Sequence, residues 1–394
     1  LERRLYGEEG FKLTWGAQYE FAKFNNRTFS QRYLFLQDTL VEVDFESEFD
    51  LHKYGAFVQA SQSLAEGRVT LSGGLRVDGN EVNKSMANPL RQLSPRVALR
   101  WRFAPRWSFN ANGGRYFQLP SYLVLGFVDG GQRVNQVGAR YTQCDQAVAG
   151  LRFDWGERNT TFGLEGFYKS YQGSPVSRET GIALANLGAD FGVVGNEAVS
   201  FDGVGRSYGM EFLAQRRLYK GVYGLLAYTW VRSEYEFEGQ NAPSAWDSRH
   251  IVSATGGAKL KRDWEIGMRW LYSGGLPYTP YDLGVSMDRE YWDSQGVPQL
   301  NYASLNANRN ASFSQLDLRI DKKWFFERWS LDVFMDIQNL FSQVPDAPPA
   351  LDVVRDPASG VPIPDNQDPT RYQPRYINAG AGTVVPAIGL IVEL

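Results

Sequence analysis

The chain is short of the residues on which chemistry at a site most often depends. Of 394 residues one is cysteine, Cys144, and two are histidine, His52 and His250. A single cysteine excludes an intramolecular disulfide, and two histidines far apart in sequence leave little for a metal centre or a nucleophile–base pair. Long apolar runs are missing as well. No stretch of 18 or more apolar residues occurs, which excludes a transmembrane helix. Neither sign of charge dominates: a net charge of −3 leaves no basic footprint for nucleic acid. No linker-like break divides the chain, although its length would suit two or three soluble domains, so one large architecture is expected. An initiating methionine is absent too, and a chain that opens at Leu1 reads as a processed or truncated product.

What is present is alternation. In residues 93–120, Val97, Leu99, Trp101 and Phe103 fall on one side of an extended chain, and Arg96, Ala98, Arg100 and Arg102 on the other. After Ala104-Pro105-Arg106 the pattern resumes, with Trp107, Phe109, Ala111 and Gly113 against Ser108, Asn110, Asn112 and Gly114. The prediction is a hairpin with one greasy face and one charged face. A soluble sandwich would bury the greasy face, whereas a transmembrane barrel turns it to lipid and keeps the charges in its lumen. Strand length favours the barrel, because these runs match the roughly 9–11 residues needed to cross hydrocarbon at a tilt. A mean hydropathy of −0.38 is no objection, since half of every barrel strand is polar.

The same rhythm extends from Phe11 to Leu394. Predicted strands include Phe11 to Phe21, a strand through Tyr54 to Leu64 of unassigned facing, and the row Val69, Leu71, Gly73, Leu75, Val77. Further rows contain Tyr208, Met210 and Phe212, then Trp264, Ile266 and Met268, then Leu316, Leu318 and Ile320, then Leu331, Val333 and Met335. About 14 strands result. They are joined alternately by turns of a few residues and by long connections over residues 25–47, 78–92, 121–143, 172–205, 233–249, 274–310 and 342–384. Most soluble connections run about 4–6 residues. Outer-membrane barrels instead alternate short periplasmic turns with long outer loops. Trp101, Trp107, Trp155, Trp264, Trp324 and Trp329 lie near strand ends, where amphipathic rings suit the headgroup level.

These residues carry a resemblance. Leu93-Ser94-Pro95-Arg96, the run to Gly114-Arg115-Tyr116-Phe117-Gln118-Leu119-Pro120, Gly205-Arg206-Ser207-Tyr208-Gly209-Met210-Glu211-Phe212, Trp246-Asp247-Ser248-Arg249-His250, Gly275-Leu276-Pro277-Tyr278-Thr279-Pro280 and Asp336-Ile337-Gln338-Asn339-Leu340-Phe341 resemble the barrel signatures of TonB-dependent outer-membrane receptors. With Gln315 to Lys323 added, the set is most similar to receptors of the Bacteroidetes type. The resemblance implies an all-β, transmembrane, antiparallel up-and-down β-barrel, of whose 22 strands about 14 would be seen. Residues 1–394 would be one outer-membrane barrel domain, its C-terminal portion, lacking the plug domain, the TonB box and the first strands. Leu394 stands where the family ends on an aromatic residue. An open 14-stranded sheet would expose two unpaired edges, at several kcal/mol per backbone group in hydrocarbon. Either another chain or a further segment must supply strands, or the first and last strands must pair to close a smaller barrel.

The function implied by the resemblance is energised import across the outer membrane of a Gram-negative bacterium. The implied partners are the lipid bilayer, TonB, a plug domain and a surface lipoprotein, with a small ligand whose identity stays open. No cofactor, metal, nucleic acid or enzymatic role is implied. Two other readings remain: a passive 14-stranded channel or barrel enzyme in the same membrane, and a soluble β-sandwich binding protein such as a lectin.

From the residues themselves, the charges Arg76, Arg96, Arg100, Arg102, Arg115 and Glu165, with Glu211, Arg269, Asp317 and Arg319 further along, are assigned to the lumen row. There they would guide an anionic ligand or, more plainly, solvate the lumen and meet a plug. Loop aromatics such as Tyr122, Phe127, Tyr281, Tyr291 and Trp292 would stack on a sugar or siderophore, or simply pack the loops. Arg100, Arg102, Arg115, Tyr122, Tyr281 and Trp292 are the candidate ligand contacts. Asp288, Glu290 and Asp293 share one loop without the oxygen spacing of a known calcium loop, and read as a solvated acidic run. Cys144 is expected to be a free thiol.

Overall fold

Strands that alternate over such lengths satisfy their backbones only by pairing along both edges. The computed structural model describes residues 2–6, 10–34, 39–188, 195–377, 380 and 382–394, and most of its pairing belongs to one antiparallel sheet. Its strands begin with β1 (Glu2–Tyr6), β2 (Phe11–Leu34), β3 (Thr39–Leu64), β4 (Val69–Asn80) and β5 (Ser94–Ala104). They continue with β6 (Trp107–Gln118), β7 (Thr142–Trp155), β8 (Thr160–Ser177), β9 (Val199–Tyr219), β10 (Val222–Phe237) and β11 (Gln240–Pro243). After β12 (His250–Lys259) and β13 (Trp264–Ser273) come β14 (Pro277–Tyr278) and β15 (Asn308–Arg309), which pair with each other inside a loop. The wall resumes with β16 (Phe313–Phe325) and β17 (Ser330–Gln338). A second loop pair, β18 (Ala350–Val353) and β19 (Pro374–Ile377), precedes the last wall strand, β20 (Val385–Glu393).

Fifteen of these strands follow one another through the sheet in chain order, and β11 pairs with the upper part of β10. The strand beyond the expected set is β1, in register with β2 so that Leu5 faces Leu13. Connections alternate strictly between short turns and long loops, save that β2 and β3 carry strand far into the segment where a loop was expected. The turns are tight for local reasons. Between β9 and β10, Lys220 and Gly221 both have positive φ, 50° and 81°, as a two-residue hairpin requires. A Cβ on Gly221 would lie 2.7 Å from the Lys259 carbonyl oxygen.

Register assigns every strand a facing, including the one through Tyr54 to Leu64. Leu13, Ala60, Gly73, Val97, Gly113 and Ala147 lie in one row across six strands, which turns Tyr54, Ala56 and Val58 outward with it. Among the described residues no second layer covers the outward rows. Val97 is 66% exposed and Ile388 78%, while Leu13, Leu99 and Val333 are half-buried among their strand neighbours. The fold is therefore of the antiparallel β-barrel class, and the soluble sandwich is excluded.

A packed core does exist, but at the loop end. Phe49, Leu51, Met86, Val124, Leu125 and Tyr141 form one cluster with parts of the 81–93, 119–141 and 178–198 loops. A second joins Met287 and Trp292 to Leu351, Val353 and Tyr372. This explains two connections read too long. In the upper part of β3, Phe45, Ser47, Phe49 and Leu51 are buried on the inner side, while Asp44, Glu46, Glu48 and Asp50 are exposed. Above the bilayer the alternation inverts, because loops cover the inside and water bathes the outside. The inverted pattern lacks an outward apolar row, and so resembles a polar loop. Val199 and Phe201 at the start of β9 repeat it.

The sheet ends on two edges. Among the described residues β1 pairs with β2 alone and β20 with β17 alone, and the two are not joined to each other. With fifteen strands alternating in direction, β1 and β20 run the same way. Antiparallel closure therefore takes an odd number of further strands.

Candidate functional site

The inner face of the wall is polar, and most of its charge is neutralised locally. Arg76 donates from Nε to Asp78 at 2.8 Å, and Arg319 donates from Nε to Asp321 at 2.9 Å. In both cases the partners sit two residues apart on one strand, hence on one face. Arg269 stands opposite Asp317 in register. Glu165 and Glu211 are register partners on β8 and β9, two carboxylates side by side, with Gly150 next to them. A Cβ on Gly150 would lie 2.4 Å from Cγ of Glu165. This pair would favour a cation or a basic surface inside the wall.

Arg100 and Arg102 face the lumen and are exposed. Arg115 does not belong with them. It shares the outward parity of Phe109 and Gly113, near the outer end of β6, and it holds Asp145 through two hydrogen bonds of 2.7 and 2.9 Å. The misassignment came from treating charge as a marker of the lumen; at the strand ends the outer face is wet as well.

The loop aromatics fall into two places. Tyr122 begins a short helix, α1 (Tyr122–Gly126), where Ser121 accepts the Val124 N–H. Its ring packs edge-on against Phe24 and Phe49, and its hydroxyl accepts from Lys53 Nζ at 2.9 Å. Tyr281 and Trp292 meet in the second core cluster, where Trp292 is buried. Trp292 lies on a later helix, Arg289–Gln295, capped by Asp288, whose Oδ1 accepts the Tyr291 N–H at 3.0 Å. The nearby Asp293 accepts from the Tyr372 hydroxyl at 2.8 Å. Two of the three acidic residues of that loop thus serve the loop fold. No cluster of three or more potential metal ligands occurs among the described residues. His250 stacks on Tyr228 and His52 lies against Tyr19 and Phe21.

Two features escaped sequence reading. The first is a cleft of about 940 Å³ between β3 and the 81–93 and 119–141 loops, lined by Glu46, Asn83, Lys84, Arg133 and Gln136 among others. The second is a set of buried asparagines that tie loops together. Asn135 donates to the carbonyls of Val124 and Glu197, and Asn306 to those of Asn186 and Pro243. In sequence an asparagine outside a strand reads only as a turn residue; nothing local distinguishes one that crosses between loops.

Comparison with known proteins agrees with the geometry. The family model described as TonB dependent receptor-like, beta-barrel, matches residues 2–340. No curated protein matches. Among solved structures, the ferric-catecholate import receptor Fiu from K12 E. coli is similar at 11% identity and a TM-score of 0.62, over 100% of this chain and 53% of that one. The ferripyoverdine receptor of the outer membrane of Pseudomonas aeruginosa is similar at 11% identity and 0.61, over 100% of this chain and 47% of that one. The FrpB iron transporter from Neisseria meningitidis is similar at 14% and 0.57, over 99% and 53%. The chain spans about half the length of the structures it matches.

Proposed function

Since the chain belongs to the family of TonB-dependent receptor-like β-barrels, we propose that it forms most of the wall and the outer loops of a transport receptor in the outer membrane of a Gram-negative bacterium. The observation that carries the proposal is the inversion of the alternation: apolar outward where hydrocarbon is expected, charged outward where the loops begin. Only a wall that passes from lipid into external water is served by that switch.

In this reading an odd number of strands and a plug, from outside the stretch seen here, complete the barrel, and TonB acts through the plug. The acidic pair Glu165 and Glu211, and the exposed Arg100 and Arg102, face that plug or a passing ligand. Tyr122 and Tyr281 contribute ligand contacts at the loop end, with Arg115 at the rim and Trp292 holding the loop behind Tyr281. Iron import by the similar receptors makes a ferric chelate the first ligand to try. The test is uptake of labelled ferric chelates by cells carrying the whole receptor, with and without TonB. TonB-dependent uptake supports the proposal, and equal uptake or steady conductance without TonB overturns it in favour of a passive channel.

A further inference from the structure

Strand β3 stands taller than its neighbour on one side. It pairs with β2 along its whole length, whereas β4 reaches only to the Lys53–Asn80 pair. From Asp44 to His52, one edge of β3 therefore has no strand beside it among the described residues. Two contacts show which backbone groups that edge presents. The N–H of His52 donates to Oε1 of Glu81 at 3.2 Å, and the Glu48 carbonyl accepts from Arg133 Nη1 at 2.8 Å. Even-numbered residues thus turn their backbones away from β2. The N–H and C=O of Glu46 and Asp50, and the N–H of Glu48, have no partner on that side among the described residues. Through Glu46, Ser47 and Glu48 the edge forms one wall of the cleft of about 940 Å³, and loops form the other. Ser47 is buried, and among the described residues its hydroxyl is also unpartnered.

A free edge is a template for another strand. The side chains along this one decide which strand. Its outward row is Asp44, Glu46, Glu48 and Asp50, all exposed. Strand β2 answers it only in part: Lys23 lies 3.9 Å from Glu48 and Arg27 3.6 Å from Glu46, in open water where such pairs hold little. Asp44 and Asp50 make no ion pair among the described residues. The same edge of a second copy would set carboxylate opposite carboxylate, which opposes pairing. A strand with basic side chains on that row is attracted instead. The loop wall supplies Val82, Val128 and Val137, the last 87% exposed, and so offers apolar surface to the alternate side chains. From Asp44 to His52 the edge runs about 27 Å at the usual rise per residue, long enough for roughly seven residues of an added strand.

We propose that the free edge of β3 binds a short extended peptide, basic at alternate residues and apolar between them, as an added strand. Backbone hydrogen bonds to Glu46, Glu48 and Asp50 supply the affinity, and the alternation of side chains sets which sequence is accepted. The cleft has the size of a ligand pocket and takes a single chain rather than a folded domain. The site needs the loop end to stand in external water, but neither TonB nor the imported ligand, so its failure would leave the transport reading untouched.

The test uses the whole receptor in a neutral detergent and a fluorescent, end-blocked heptapeptide alternating lysine and valine, with binding read by anisotropy. Two derivatives carry N-methyl groups, one on the lysines and one on the valines, so that charge is unchanged while opposite sets of N–H groups are removed. The expected result is saturable binding that one derivative loses about tenfold or more and the other keeps, because an added strand bonds through one set alone. Glu46→Pro, which removes a free N–H without touching a bond to β2, and the double variant Glu48→Lys with Asp50→Lys each weaken binding about tenfold. Glu66→Lys, in the turn at the opposite end of β3, leaves it unchanged. Should Glu46→Pro fail to assemble, the double lysine variant and the two methylated peptides decide the matter. Equal binding of both methylated peptides, equal binding of a peptide with glutamate in place of lysine, or an equal loss in Glu66→Lys overturns the proposal, as does unchanged binding in heat-modifiable, folded variants of the edge.

Discussion

The wall and its loop cap are built from one chain by opposite rules. In the wall, Val97, Met268 and Ile388 are exposed, and stability comes from backbone pairing strand after strand. In the cap, Leu125, Ile182 and Val353 are fully buried, and stability comes from packing, as in a soluble domain. Apolar residues therefore have no single meaning here. Their value depends on whether hydrocarbon, water or another loop lies beside them, and the boundary between the regimes runs through the middle of β3 and β9.

Substitutions can break this comparison on either side. The largest effect is expected in the cap. Trp292→Ala removes the ring that joins Met287 to Leu351 and Val353, at a cost of about 3–5 kcal/mol to that cluster. Proteolysis within residues 274–310 and 342–384 should accelerate, while heat-modifiable migration of the barrel persists. Loss of both together would mean that cap and wall form one cooperative unit. Next comes the wall. Met268→Arg puts a charge into hydrocarbon between the girdle residues Trp264 and Tyr272, for about 2–4 kcal/mol. Arg269→Gln, one residue away on the inner face, should cost under about 1 kcal/mol. Equilibrium refolding into lipid vesicles reads both, and equal costs would refute the assigned facing.

A smaller effect tests the local order of the cap. Asp288→Ala deletes the side-chain acceptor at the start of the Arg289–Gln295 helix, worth about 1 kcal/mol, and should raise hydrogen exchange there without altering that of β13. The smallest effect is a response to acid. Asp368 is held below the ordinary carboxylate range by the hydroxyl and N–H of Thr370. A depressed folded value means that this stabilisation is present above about pH 4 and is lost as pH falls through the folded value. Acid should therefore loosen residues 365–371 in limited proteolysis before it affects the wall, and Thr370→Val should abolish that difference.

Much of this was legible from residues alone, and the failures have causes. The rows through Leu99, Phe109 and Met335 were read correctly because lipid imposes a strict outward apolar row. Tyr122, Tyr281 and Trp292 were found as loop aromatics. That Tyr281 and Trp292 share one cluster with Tyr372, and that Tyr122 belongs to the other, depends on loops distant in sequence. Arg115 faces outward where its charge predicts the lumen, because the outside of the wall is also wet near the outer strand ends.

By itself the order of residues determined the period, the alternation of short and long connections and hence the antiparallel wall, because each is a local consequence of a two-sided environment repeated strand by strand. Only the tertiary structure decided where that environment ends, which carboxylate each arginine meets and which loops share a core. Those are relations between segments far apart in the chain, as between Asn186 and Asn306, 120 residues apart, or Phe49 and Phe201 in one core cluster, and no local pattern encodes them.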